Sequence, residues 1–319
     1  MTTSQVRRAA DFVWLTGRAL DQRRMEFFSG TEFFSGTEYL SGTESFSGTA
    51  DARGVLLALE GYSTGDGGYA YGLEPDVKGP LAHPLTVMTA LRVLDEVDAV
   101  DAARVEPLTR WLGGHIAPDG GIPALLGTIR DYPRPPWIAP PDQPVGGLLP
   151  TARIVGLLRK HGITAPWLDA ATAFCWKALE TMTATHPYEV HSSVVFLDHA
   201  PDRDRAVQAA ARLGELVREQ ELFLADPDHP ERGRAAPGYA ESEFHYAHDF
   251  ATTPDSLAAQ WFTEAELTAS LDHLAASQQA DGGWQINWRR WAPTTESEAR
   301  PGVTIEKLRI LRAWNRGSR

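Results

Sequence analysis

The residues whose types and spacing suit chemistry fall in separate clusters. The first is Tyr69-Ala70-Tyr71-Gly72-Leu73-Glu74-Pro75-Asp76-Val77-Lys78. Glu74 and Asp76 flank Pro75, which fixes the backbone between them. Partly buried carboxylates this close repel each other, and the repulsion raises the pKa of one of them. A carboxylic acid kept protonated near neutral pH is a proton donor. Glu74 and Asp76 are therefore the candidate catalytic acids, with Tyr69 and Tyr71 as candidate substrate contacts. The competing reading has the two carboxylates capping the next helix or pairing with Lys78 and Arg92.

His186-Pro187-Tyr188-Glu189-Val190-His191, with Asp198-His199 beyond it, forms the second cluster. His186 and Glu189 share a face if the segment is helical. His191 falls off that spacing, which leaves a metal site without a third ligand, so no metal is expected. The third is His245-Tyr246-Ala247-His248-Asp249, preceded by Glu241 and Glu243 in a loop. Histidines and acids of a loop can converge on a metal or a substrate, and a solvated polar loop is the alternative. The fourth is Trp284, Trp288 and Trp291, at spacings of 4 and 3. Such a row is either an aromatic wall able to stabilise a cation or core packing between the last hairpin and the first. His186, Glu189, His245, His248, Trp284 and Trp288 complete the set of candidate substrate-binding residues.

The elements that must position these groups read as helices. Apolar residues recur at spacings of 3 and 4 over 4–24, 50–62, 85–97, 102–116, 148–161, 166–182, 187–199, 202–223, 263–277 and 302–314. Thr263 and Glu266 form a capping-box pattern before one of them, and Pro166 sits where a first-turn proline would. Residues 117–147 and 224–257 are long loops rich in proline, the kind that carries function. No strand-type alternation is present. Residues 27–50 are a six-residue repeat in four copies, from Phe27-Phe28-Ser29-Gly30-Thr31-Glu32 onward, with a glycine in every copy that disfavours helix. It reads as a tandem expansion of a loop, or as an aromatic flap over a cavity.

The bulk numbers set limits. Net charge is −12, with 30 basic and 42 acidic residues, which argues against nucleic acid or an anionic membrane surface as partner. The single cysteine, Cys175, excludes an internal disulfide and thiolate zinc clusters, and its neighbours Phe174 and Trp176 mark it as a buried thiol. No signal peptide and no membrane-spanning run is apparent, so a cytoplasmic protein of unknown oligomeric state is expected.

One turn recurs. Asp66-Gly67-Gly68-Tyr69 and Asp119-Gly120-Gly121-Ile122 start 53 residues apart, and Asp281-Gly282-Gly283-Trp284 follows after 162, which is three steps of 54. A repeated helical hairpin of that length fits nearly six times into 319 residues and predicts one domain, stacked as a solenoid or closed as a ring. Gln278-x-x-Asp281-Gly282-Gly283-Trp284 at a helix end resembles the repeat of the prenyltransferase and squalene oxidase class. That class includes squalene-hopene cyclases, class II terpene cyclases and protein prenyltransferase β subunits. The resemblance implies an all-α fold, an α/α toroid of about six helical hairpins over residues 1–319. It also implies structural roles for the turn, with the Asp bonding free N–H groups of the next helix and the aromatic wedged between hairpins. The chain departs from the class at its chemistry. It has no Asp-x-Asp-Asp, no Asp-x-Cys and no Asp-Asp-x-x-Asp.

The leading expectation is an acid-initiated cyclase of an isoprenoid or related apolar small molecule, without cofactor, in a central cavity. A carbohydrate-active α/α barrel and a non-catalytic ligand-binding or assembly protein on the same scaffold are the alternatives.

Overall fold

The computed structural model describes residues 2–30, 52–140 and 142–316. In chain order the helices are α1 (Thr3–Thr16), α2 (Ala19–Ser29), α3 (Arg53–Glu60), α4 (Pro84–Glu96), α5 (Ala102–Gly113) and α6 (Leu148–Lys160). They continue with α7 (Leu168–Thr181), α8 (Pro187–His199), α9 (Arg203–Glu219), α10 (Ala247–Phe250), α11 (Glu264–Ala276) and α12 (Thr295–Arg316). Short 3-10 turns lie at Gly127–Asp131, Pro230–Arg232 and Leu257–Trp261. The described residues contain no strand, only an isolated bridge between Ser63 and Tyr69. None of their helices is long and apolar enough to cross a membrane.

Most boundaries follow the apolar periodicity, and the exceptions have local causes. The segment 4–24 is two helices, because Gly17 and Arg18 leave the helical backbone and Asp21 is drawn to the start of α2. The Asp21 carboxylate is buried there between Arg18 at 2.9 Å and Arg24 at 3.3 Å. Phe27, Phe28 and Ser29 of the first hexapeptide copy extend α2 despite the glycine that follows, and the rest of that repeat lies outside the described residues. Pro166 precedes α7, which starts at Leu168. α12 begins at Thr295 and carries Pro301 inside it, upstream of the expected start. Thr263 and Glu266 do cap α11 reciprocally, at 2.7 Å and 3.2 Å.

The described residues form two compact units, one drawn from within Met1–Gly61, Asp272–Ile286 and Ala292–Arg319, the other from within Tyr62–Leu271 and Asn287–Trp291. In the first, α12 packs against α1 and α2, and α2 against α3. In the second, α4, α6, α8 and α10 form a row of neighbours, with α7 and α9 against it. The row helices are buried nearly all round. α6 buries Leu148, Pro150, Thr151, Ala152, Ile154, Val155, Gly156, Leu157 and Leu158. By contrast, α9 buries one stripe of Ala206, Ala210, Leu213, Gly214 and Val217 and turns its charges outward. α6 and α8 touch at the backbone: a Cβ on Gly156 would lie 2.6 Å from the Val195 carbonyl oxygen. Cys175 is buried in α7, where burial pushes its thiol up.

The repeated turn has one geometry in all three copies. The Thr64, Ala117 and Gln279 N–H groups donate to the Gly68, Gly121 and Gly283 carbonyls at 2.9 Å. The first glycine has φ of 97° at Gly67, 88° at Gly120 and 93° at Gly282, a region closed to most side chains. The Asp does not bond the free N–H groups of the next helix. Its Oδ1 accepts the N–H of the second glycine within the turn, at 3.1, 3.0 and 3.0 Å. The partners beyond the turn differ. Trp111 Nε1 donates to Asp66 Oδ2 at 3.0 Å and the Gly146 N–H to Asp119 Oδ2 at 3.1 Å, while the Arg300 guanidinium pairs with Asp281 at 2.9 Å. A fully buried threonine of the following helix then clips the chain. Thr86 donates to the Tyr69 carbonyl, and Thr151 and Thr304 accept the Ile122 and Trp284 N–H groups at 2.8 and 3.1 Å.

His83, the N-cap residue of α4, carries a titration signature. It is fully buried, its Nδ1 accepts the Leu126 N–H at 3.1 Å, and its Nε2 has no hydrogen-bond partner. Burial pushes its pKa down to about 4 from the ordinary histidine value of 6.5, and His115 adds to the shift. The helix N-terminus disfavours the imidazolium as well. The folded pKa lies below the unfolded one, so the unfolded chain binds the extra proton and stability falls as pH drops from about 6.5 to about 4. The full swing is about 3 kcal/mol. Urea unfolding at pH 7 and pH 5 should show a larger acid loss for the native chain than for His83→Gln. Equal losses would remove His83 from the account.

Candidate functional site

The first turn of α8 and the loop before α10 meet in the second unit. Pro187 opens α8 behind the N-cap residue His186, and Tyr188, Glu189 and His191 follow within the next turn. The loop contributes Tyr239, Glu243 and His245, and α10 contributes Phe250. Their rings form a cage. Tyr188 lies edge-on to His191 at 5.8 Å and to His245 at 5.4 Å, and tilts against Tyr239 at 5.6 Å. His191 meets His245 at 5.3 Å and Phe250 at 4.9 Å.

Glu243 sits among these rings with 4% of its surface exposed. Burial pushes its carboxyl above the usual range, because the charged form is the one that loses hydration. Three influences oppose the rise without overcoming it. Tyr188 donates to Oε1 at 2.8 Å, the Ala240 N–H to Oε2 at 3.3 Å, and Arg289 contributes its charge. Burial, and then the Glu243 charge, keep the Tyr188 hydroxyl protonated. Beside this acid, the Tyr239 hydroxyl lies 2.7 Å from His186 Nδ1. Burial lowers the His186 pKa, and Glu189, 3.7 Å from Nε2, partly offsets the drop.

Of the sequence candidates, His186, Glu189 and His245 come together in this cage. The others are placed elsewhere. Thr89 of α4 donates to Glu74 at 2.8 Å, and Trp291 Nε1 donates to Asp76 at 2.6 Å. Tyr71 has φ of 59° and is 55% exposed, while Tyr69 offers its carbonyl to Thr86. His248 is buried against Ser270, 2.6 Å from its hydroxyl, with Tyr246 stacked on it. Trp284 is buried in the first unit and donates to the Leu274 carbonyl at 2.8 Å, a packing role. Trp288 is half-buried in the second unit. Among the described residues, no three of His, Cys, Asp or Glu gather as a metal site.

Tyr188, His191, Tyr239, Glu243 and Phe250 are the residues of the site that sequence reasoning passed over as site residues. The only local signal was the alternation Glu241-x-Glu243-x-His245, and it does not separate an exposed Glu241 from a buried Glu243. A different ion cluster lies at the other ends of the row helices. Asp95 accepts from Lys160 at 2.6 Å and His161 at 2.7 Å. Burial works to raise its carboxyl, but these two bonds outweigh it and hold it low.

Among solved structures, the chain is similar to the type II terpene cyclase MstE from Scytonema in its apo form. The TM-score is 0.52 at 14% identity, over 99% of this chain and 98% of that one. It is also similar to a variant of MstE in complex with merosterolic acid A, the product, with a TM-score of 0.51 at 13% identity, over 98% and 99%. No family model matches the chain, and no curated protein matches it. At this identity the likeness is one of fold: the chain is all-α, of the α/α-toroid class.

Proposed function

We propose that the chain is an enzyme that starts a carbocation rearrangement of an apolar, isoprenoid-like small molecule by proton donation, with Glu243 as the donor. The observation that carries this reading is a buried carboxyl, shifted toward its protonated form, inside an aromatic cage. In the initiating step the Glu243 O–H bond breaks and a C–H bond forms on the substrate alkene, leaving a cation. The rings of Tyr188, Tyr239 and Phe250 offer that cation polarisable surface. The carboxylate left behind already holds the Tyr188 hydroxyl and the Ala240 N–H, donors that bind it more strongly once it is charged. The likeness in fold to a type II terpene cyclase, a variant of which has a structure in complex with its product, supports the same reading.

The test is incubation with a panel of linear polyprenyl alkenes, alcohols and diphosphates in deuterium oxide, followed by mass spectrometry of the extract. Cyclic product carrying deuterium at the protonated carbon is the expected result. Product without deuterium removes proton initiation, and no product from any of the panel favours a non-catalytic binding protein.

A further inference from the structure

The cage holds a second polar pair that the initiating step leaves unused. The Tyr239 hydroxyl and His186 Nδ1 are 2.7 Å apart, a hydrogen bond in which the hydroxyl donates when the neutral ring carries its proton on Nε2. The imidazole proton then sits on Nε2, toward Glu189 Oε2 at 3.7 Å. Glu189 is itself held by the Thr185 hydroxyl at 3.2 Å. His186 is fixed at the N-cap of α8 by the Val190 N–H, which donates to its carbonyl at 3.1 Å. Burial keeps the ring neutral, yet a carboxylate stands ready to pair it once it gains a proton. Tyr239 meanwhile keeps its own proton until another base takes it, because burial and the Glu243 and Glu189 charges disfavour the phenolate. Two titratable groups of one cage are thus pushed apart, Glu243 toward its acid form and His186 toward its base form, the pattern that assigns donor and acceptor.

We propose that Tyr239, backed by His186, takes the proton that ends the reaction begun by Glu243, so that the product leaves as an unsaturated isomer of the substrate. The assignment rests on Glu243 being the donor. In the closing step a C–H bond next to the cation breaks and its electron pair becomes the new C=C bond. The proton passes to the Tyr239 oxygen as the original Tyr239 proton moves to His186 Nδ1. The imidazolium pairs with Glu189. Solvent then removes that proton and returns one to Glu243, so the cycle consumes no net proton. Tyr239 is the catalytic base, and His186 acts through it as a positioning residue.

The experiment compares the native chain, Tyr239→Phe and His186→Asn in deuterium oxide labelled with oxygen-18, reading the ratio of alkene to alcohol. Both variants should still consume substrate and still fix deuterium at the first protonated carbon. Their alkene-to-alcohol ratio should fall at least tenfold, with label in the alcohol. An unchanged ratio in both overturns the assignment and leaves the donor intact. If the variants consume nothing, the native chain decides: unlabelled alkene supports the acceptor and labelled alcohol as main product overturns it. Absence of deuterium from the native product is the separate result that sinks the donor.

Discussion

Replacing Glu243 by glutamine lowers turnover about 10³-fold, while the midpoint of urea unfolding at pH 8 stays where it was or rises. The size of the kinetic effect follows from what general acids contribute, roughly 10²- to 10⁴-fold. Glutamine keeps the shape of the side chain and an oxygen that can still accept from Tyr188, now bonded at 2.8 Å. What it removes is the transferable proton. The sign of the stability effect comes from the direction of the Glu243 shift. Its folded pKa lies above its unfolded value, so it favours the folded state at low pH and the advantage is lost as pH rises through the folded pKa. At pH 8 the neutral amide escapes that loss. Asp76→Asn and Glu74→Gln should cost only a few-fold, since Asp76 is bonded to Trp291 and Glu74 to Thr89, one acceptor oxygen of each surviving in the amide. A Glu243→Gln protein that keeps a tenth or more of native turnover moves the donor elsewhere, and those two carboxyls are the first to test.

Alanine at Gly282 costs about 3–4 kcal/mol of folding stability, the sum of left-handed backbone strain and overpacking. At φ of 93° a Cβ would lie 2.1 Å from the Arg8 carbonyl oxygen of α1, and neither backbone has a flexible atom to yield. The three turns make the prediction graded. The same contact is 2.5 Å for Gly67 on Pro107 and 3.2 Å for Gly120 on Ala170, so the losses should rank Gly282, then Gly67, then Gly120. Gly65, with nothing within 4 Å, is the control and should change by less than about 1 kcal/mol. Urea midpoints of the four alanine variants decide the matter, and a flat series would show that the close approach relaxes at no cost.

These two sites also mark how far the amino-acid sequence could be read. The turns were legible because their geometry demands residue types. Only glycine enters the left-handed region cheaply, and an Asp two residues before the donor N–H closes the loop. α8 was legible to its bounds because Pro187 and the apolar run of Val194, Val195, Phe196 and Leu197 both mark it. The threonine clips were not, since Thr86, Thr151 and Thr304 stand 17, 29 and 20 residues beyond the backbone they bind. Within the candidate site, His186, Glu189 and His245 drew notice as histidine–acid clusters. Tyr188 and Glu243 are 55 residues apart, and burial, which no local spacing reports, is what sets Glu243 apart from Glu241.

The turn has a backbone wiring common to all three copies and an outward Asp bond that differs: an indole at Asp66, a backbone N–H at Asp119, a guanidinium at Asp281. Standard inside and adjustable outside is how interchangeable parts are made. A hairpin bounded by two such turns could be duplicated, deleted or borrowed, with a single hydrogen-bond donor left to refit at each seam.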